Sequence, residues 1–342
     1  MASVTRFGLW FASIPYRTGV RHRNKKFDRG DGVHRVDVPV ISVGNLTTGG
    51  TGKTPVVAYL ARWFRDRGVR VAIVSRGYGR GDAAENDEAA ELHQRLPDVP
   101  HLQDPDRVRS AEIAIEELDS QLILMDDGFQ HRRLHRDLDI VLVDATCPFG
   151  YGHLLPRGLL REPMKNLSRA DVAIVTRSDL VDRSKLQSLE SRLSRLARPK
   201  EEFPIARCQH QPTSLLKFPH QTEAVESLYG KRVLLISGIG NPSAFEQTVE
   251  KLQIDVIDHY ILADHASVNR EVIDSIGRWR ASFDDVDAFV CTQKDLVKFR
   301  VDQLHGIPFF CLVIEAQIDS SSLDGQLRQI LSRVETESHH GH

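Results

Sequence analysis

Short apolar runs recur along this chain and alternate with stretches in which apolar residues return every third or fourth position. Runs at Val38–Val43, Val69–Val74, Leu122–Met125, Ile140–Val143, Val172–Val175, Val233–Ile236, Ala288–Cys291 and Phe309–Val313 are the length of buried strands. Between them, Val56, Val57, Leu60, Ala61 and Phe64 fall at helical spacing, and Asp106–Leu118 and Lys185–Leu196 repeat that pattern. Strand alternating with helix predicts an α/β fold with a doubly wound, mostly parallel sheet. The alternation breaks near Gln209–Thr222, where Gln-Pro-Thr and Phe-Pro-His intervene, and resumes at Lys231. The pattern therefore predicts an N-terminal segment at 1–36, a core at 37–210, a smaller α/β domain at 211–335 and a disordered tail at 336–342.

The first strand runs into Asn45-Leu-Thr-Thr-Gly-Gly-Thr-Gly-Lys-Thr54, and a helical pattern follows. Strand, glycine-rich turn and helix form the context of a phosphate-binding P-loop. Backbone N–H groups of Thr48, Gly49, Gly50, Thr51 and Gly52 can surround one anion, Lys53 can reach the β and γ phosphates, and the Thr54 hydroxyl can hold Mg²⁺. A strict Walker A sequence has glycine where this chain has Thr47.

A second chemical signal is the buried run Leu122–Met125 ending in Asp126-Asp127-Gly-Phe-Gln-His131. Adjacent acids at a strand end repel unless a cation sits with them, so Asp126 and Asp127 are candidate Mg²⁺ ligands beside Thr54. Arg76, in Ser75-Arg-Gly-Tyr78, follows the second strand at the carboxyl edge where open α/β sheets bind ligands. Its guanidinium suits transferring phosphate oxygens.

Net charge is −2, which gives no global field for nucleic acid. Locally the balance differs: Arg17, Arg21, Arg23, Lys25, Lys26 and Arg29 stand against Asp28, immediately after the apolar and aromatic stretch Phe7–Ile14. That juxtaposition suits either an interfacial membrane helix or a helix packed on its own domain beside a solvated basic loop. The apolar stretch is too short to span a bilayer. Cys147, Cys208, Cys291 and Cys311 form no CxxC pair and read as reduced thiols.

Taken together, Ser42–Pro55, Ser75–Tyr78, Asp126–His131, Leu155–Pro163, Ser237–Pro242, Asp264-His265 and Thr292–Lys298 resemble, in order, the segments of the tetraacyldisaccharide 4'-kinase family, the lipid A 4'-kinases of Gram-negative bacteria. Thr47 is no departure from that family, whose loop also lacks the glycine. The resemblance implies a P-loop kinase that uses ATP and Mg²⁺ to phosphorylate the 4'-hydroxyl of a tetraacylated glucosamine disaccharide 1-phosphate. It further implies a peripheral enzyme on the cytoplasmic face of the inner membrane, attached through an N-terminal membrane-associating helix.

The family's catalytic acid stands in a Gly-Asp-Glu-Pro pattern, whose counterpart is Asn86-Asp87-Glu88-Ala89, which makes Asp87 the candidate base. His265 matches the family's Asp-His pair and could tune that base. Lys53 and Arg76 complete the implied catalytic set. Asn45, Arg107, Gln130, His131, Arg161 and Glu162 are the implied substrate-binding residues. Where the family has Gly-Asn-Gly, this chain has Gly150-Tyr-Gly152. A regulatory or partitioning ATPase with a deviant Walker A loop is the competing reading, although such loops carry Lys where Thr48 stands. A non-catalytic membrane adaptor is the third.

Overall fold

The computed structural model describes residues 2–77, 86–197, 202–263 and 266–340. The chain divides into two compact units: Met1–Gly77 with Leu96–Gln209 and Ile318–His342, and Tyr78–Arg95 with His210–Gln317. The first contains α1 (Ala2–Asp28), β1 (Val40–Asn45), α2 (Lys53–Arg65), β2 (Val71–Ser75), β3 (His101–Gln103), α4 (Arg107–Glu116), β4 (Leu122–Asp126), β5 (Leu138–Asp144), β6 (Val172–Thr176), α5 (Arg183–Ala197), the start of β7 (Ile205–Lys217) and α9 (Asp324–His340). The second contains α3 (Asp87–Arg95), the rest of β7, β8 (Gln221–Glu223), β9 (Arg232–Ser237), α6 (Pro242–Glu250), β10 (Asp255–Ile261), α7 (Arg270–Arg280), β11 (Ala288–Cys291), α8 (Gln293–Phe299), β12 (Gln303–Leu304) and nearly all of β13 (Ile307–Ile318).

In the first unit the strands lie in the order β7-β6-β5-β1-β4-β2-β3, every pair parallel. Every residue of β1, β4, β5 and β6 is buried, because helices cover both faces. One face packs Val40, Ala72, Val74, Ile123 and Met125 against Val108, Ala111 and Ala114 of α4. Further along the sheet, Val141, Val143, Ala173 and Val175 meet Leu186, Leu189 and Leu193 of α5. Helix α2 buries Val56, Val57, Leu60, Ala61 and Phe64, the stripe that its spacing predicts.

The second unit repeats the principle on a smaller parallel sheet, β10-β9-β11-β13. Val233, Leu235 and Val290 face Phe245 and Val249 of α6, while Leu234, Ile236 and Phe289 face Ile276 of α7 with Leu296 and Phe299 of α8.

Three expectations change. The boundary region Gln209–Thr222 is largely strand: in β7, Ala206, Cys208 and Leu215 are buried while Arg207, Gln209, Gln211 and Thr213 are exposed. Polar outward positions and Pro212 hid that alternation. The segment 78–95 groups with 210–317, and 318–342 with the first unit, so the units are not contiguous in sequence. The tail from 336 is, as far as His340, the end of α9, whose Leu327, Ile330 and Val334 are buried.

Candidate active site

The turn from β1 into α2 is built by two glycines with left-handed backbone, Gly49 at φ 103° and Gly52 at φ 79°. Gly52 is the N-cap of α2 and offers no side chain to its first turn. A helix N-terminus left uncapped by a side chain, preceded by a glycine turn, fits a phosphate group. Thr47 and Thr48 precede that turn in extended form: Thr47 bridges Leu160, Thr48 N–H donates to the Leu159 carbonyl at 2.7 Å, and the Asn45 amide donates to the Thr47 carbonyl at 2.5 Å. The loop enters its turn from a short β-bridge, which threonine suits and glycine would weaken. Its far side is fixed by the Thr176 hydroxyl, which donates to the Thr51 carbonyl at 2.9 Å.

The end of β4 comes very close to β1. A Cβ on Gly44 would lie 2.5 Å from the Phe129 nitrogen, and one on Gly128 would lie 2.6 Å from the Ser42 hydroxyl. Only glycines admit this approach, and it brings the Asp126–Phe129 turn beside the phosphate loop. Asp126 is buried at the strand end, and Asp127 takes a left-handed conformation, φ 53°. Arg161 Nη1 donates to both oxygens of Asp127, at 2.7 and 2.8 Å, while Lys53 Nζ stands 3.8 Å away. Burial alone would raise the Asp127 pKa; the charges of Lys53, Arg161 and Arg107 reverse that and hold it below the usual carboxylate range. Arg161 also donates to Gln130 Oε1 at 3.2 Å, and the Gln130 amide donates to the Asn45 carbonyl at 2.9 Å. Asn45, Gln130, Arg161, Asp127 and Lys53 thus form one connected polar cluster.

Glu162 faces the other way. Its carboxylate is fully buried and accepts from Arg23 at 3.1 Å, Asn24 at 3.2 Å, Asn166 at 2.6 Å and Arg169 at 2.7 Å. Two of these four donors lie on α1, which places Glu162 as the anchor of that helix. The Tyr16 hydroxyl adds a bond to the Arg161 carbonyl at 2.9 Å. Neighbouring residues therefore fasten α1 and reach the phosphate site. Farther toward its N-terminus, Trp10, Phe11 and Ile14 of α1 are exposed.

Arg107 is buried, and its Nη1 lies 3.4 Å from His131 Nδ1. Guanidinium can only donate, so Nδ1 accepts and the imidazole proton belongs on Nε2. Burial first, and then the charges of Arg107, Arg136 and Arg133, push the His131 pKa down to about 4. At neutral pH His131 is an uncharged donor, unsuited to act as a base. A folded-state pKa below the unfolded value of 6.5 means that unfolding takes up a proton as pH falls. Stability is expected to fall by about 2 kcal/mol between pH 6.5 and 4, discounted for partial exposure. Urea midpoints of wild type and His131→Gln should converge over that range, the wild type losing more; parallel curves would contradict the assignment.

In the second unit Asp87 is the first residue of α3, preceded by Asn86, whose carboxamide accepts from Ala89 N–H at 2.9 Å. The Asp87 carboxylate lies 3.1 Å from Lys298 Nζ on α8. His265 and Asp264 lie outside the described residues, as does Tyr78.

The chain as a whole is similar to known proteins. A family model described as tetraacyldisaccharide-1-P 4'-kinase matches residues 5–332. The chain belongs to this family. The tetraacyldisaccharide 4'-kinase of Anaeromyxobacter dehalogenans strain 2CP-C is 39% identical over 308 residues, covering 85% of this chain and 80% of its own. That of Geobacter sulfurreducens is 34% identical over 336 residues, with 92% and 91% covered. A crystal structure of Aquifex aeolicus LpxK, described as an "apo" form in complex with ATP, superposes with a TM-score of 0.72 at 28% identity, covering 96% of this chain and 99% of its own. Membership of the 4'-kinase family does not favour the partitioning-ATPase alternative. Among the described residues no helix is long and apolar enough to cross a membrane.

For this member of the 4'-kinase family, sequence reasoning overlooked Thr176, Asn166 and Arg169, and reached Lys298 only as the end of the Thr292–Lys298 match, with no role. Nothing local marks the first three, because each bonds a partner that its own motif does not include. Tyr151, where the resemblance leads one to expect asparagine, is 77% exposed with φ 65°. That is a conformation asparagine adopts more readily.

Proposed function

We propose that this protein transfers the γ-phosphate of ATP to the 4'-hydroxyl of a tetraacylated glucosamine disaccharide 1-phosphate at the cytoplasmic face of the inner membrane. The observation that carries this reading is the pairing of Asp127 with Arg161 and Lys53 beside the Gly49–Thr54 loop, in a chain of the 4'-kinase family.

Backbone N–H groups from Thr48 to Gly52 and the Lys53 ammonium bind the β and γ phosphates. Mg²⁺ would be held by the Thr54 hydroxyl with Asp126 and Asp127, a set of hard oxygen donors that suits it, and Asp127 is kept ionised for that task. Bound there, the ion would neutralise charge on the phosphate oxygens. Arg76 and Arg161 offer planar donors to the transferring group, where charge develops. Arg107 holds neutral His131 with its Nε2 proton available for donation to an oxygen acceptor. Asp87, assisted by His265, takes the proton of the sugar hydroxyl. Positioning and electrostatics account for most of the rate in such a reaction.

Helix α1 lies along the membrane surface, Trp10, Phe11 and Ile14 entering the headgroup region and Lys25, Lys26 and Arg29 meeting lipid phosphates. Trp10→Ser/Phe11→Ser should weaken partitioning into anionic phospholipid vesicles by about tenfold without lowering the unfolding temperature. Equal co-sedimentation of both proteins would contradict the membrane role. For the reaction, the protein is incubated with γ-labelled ATP and detergent-dispersed disaccharide 1-phosphate. Label in the lipid supports the kinase; free phosphate alone supports an ATPase, and no turnover a binding module.

A further inference from the structure

The segment Thr292–Lys298 is unaccounted for by nucleotide binding, yet its polar residues are among the most buried in the second unit. Thr292 caps α8, and its hydroxyl donates to Asp295 Oδ2 at 2.6 Å. Asp295 is fully buried and accepts the Gly238 N–H at 3.0 Å on Oδ1. On the next turn Lys298, with a side chain only 8% exposed, extends its ammonium to 3.1 Å from Asp87 Oδ2 and 4.0 Å from Asp295 Oδ1. A lysine buried this deeply needs anionic company. Here the company is the very carboxylate proposed as the base, at the start of a helix packed on α8.

We propose that Lys298 is a positioning residue for Asp87: held in place by Asp295, it fixes the orientation of the carboxylate that receives the sugar proton. The inference rests on the Asp87 assignment made above. Asp87 stands at the first position of α3. An ammonium 3.1 Å away constrains the carboxylate, and because Lys298 sits on a different helix it fixes Asp87 relative to α8 rather than to α3 alone.

Asp295 explains why the lysine stays. Its two oxygens are committed to Thr292 and Gly238, so it cannot swing toward solvent and draw Lys298 away from Asp87. Gly238 in turn packs tightly on this carboxylate: a Cβ there would lie 3.1 Å from Asp295 Oδ1 and 3.4 Å from the Ala263 carbonyl. The Ser237 carbonyl accepts Leu262 N–H at 2.8 Å. One network thus links Asp87, through Lys298, Asp295 and Gly238, to the residues that lead into Asp264 and His265. The Ser237–Pro242 and Thr292–Lys298 segments gain a shared purpose as the frame of the acceptor-side base.

Glu91 is satisfied by Arg95 at 3.0 Å, and Arg95 also donates to the Ile314 carbonyl at 2.8 Å.

The test is a double-mutant cycle in the full-length protein, with steady-state kinetics on ATP and detergent-dispersed lipid acceptor. Lys298→Gln should lower kcat by about thirty- to hundredfold with the KM for ATP unchanged, and Lys298→Arg should recover most of the loss. In an Asp87→Asn background, Lys298→Gln should cost no more than about twofold. Losses that multiply across the cycle, or a rise in the KM for ATP that accounts for the effect, would assign Lys298 to fold maintenance and overturn the proposal. Unfolding temperatures are measured alongside; if the glutamine variant does not fold, Lys298→Met fills the same space without charge and takes its place in the cycle. Near-normal activity of Asp87→Asn would instead remove the base assignment itself, an outcome distinct from additivity.

Discussion

Lys53→Ala is expected to lower kcat about a thousandfold, a loss of about 4 kcal/mol in transition-state stabilisation, with the protein still folded. Lys53 sits in the first turn of α2 with a side chain 12% exposed, so its charge acts in a largely dehydrated place. There an ammonium interacts with phosphate oxygens far more strongly than in water. Its removal also takes one of three cations from Asp127. That weakens the hold on the ionised carboxylate, but Arg161 keeps two short bonds to it, so the acidic turn stays in place. The core beneath α2 consists of Val56, Val57, Leu60, Ala61 and Phe64 and contains no part of Lys53. The unfolding temperature should therefore move by only a few degrees. Steady-state kinetics with a parallel thermal melt checks both statements, and kcat within tenfold of wild type would remove Lys53 from the mechanism.

Asp87→Ala is the second large effect, with kcat expected to fall by about 10²–10⁴, the usual contribution of a positioned general base. The KM for ATP should hold, because the carboxylate serves the acceptor and not the donor. Asp87→Glu should restore part of the rate, since it keeps a base and changes its reach. The alanine variant also deprives buried Lys298 of its nearer counter-ion and leaves it Asp295 at 4.0 Å. Some loss of stability follows, and Asp87→Asn, which keeps a polar partner for the lysine, separates that cost from the chemical one. Equal activity of wild type and both variants would leave the reaction without its proposed base.

Much of the donor site was legible in the sequence because its parts are local. A P-loop is a run of adjacent residues, and a strand ending in Asp126-Asp127 announces itself by four apolar neighbours. What the sequence could not convey is which distant residues complete these parts. Arg161 and Asp127 are separated by 34 positions, and their bond depends on Gly44 and Gly128 admitting two backbones to close contact. Thr47 looked like a lapse from the phosphate-loop pattern until the strand-like bridge to Leu160 gave it a reason. Glu162 was grouped with substrate residues through its neighbours in a motif, but its four partners include Arg23 and Asn24 of α1, more than 130 residues earlier. Of the fold, the fully buried strands were plain because both faces are apolar. Strand β7 was not, since its outward positions are polar and it contains Pro212.

The regrouping of the segment 78–95 with residues 210–317 changes how the acceptor side is understood. In sequence, Asp87 follows closely on Arg76 and falls within the phosphate-loop core expected at 37–210. In the structure, its helix packs on α8, and its ion pair is with Lys298. The base candidate thus shares a compact unit with α8 and Lys298, and not with Lys53 and Asp127.

The central claim is transfer to one hydroxyl, and phosphorus–proton correlation spectroscopy of the purified lipid product tests it most directly. After incubation with ATP and Mg²⁺, the account predicts one new phosphomonoester signal coupled to the proton on C4 of the distal glucosamine, with the 1-phosphate unchanged. A new signal coupled to any other sugar proton, a pyrophosphate at C1, or consumption of ATP with no change in the lipid would contradict it.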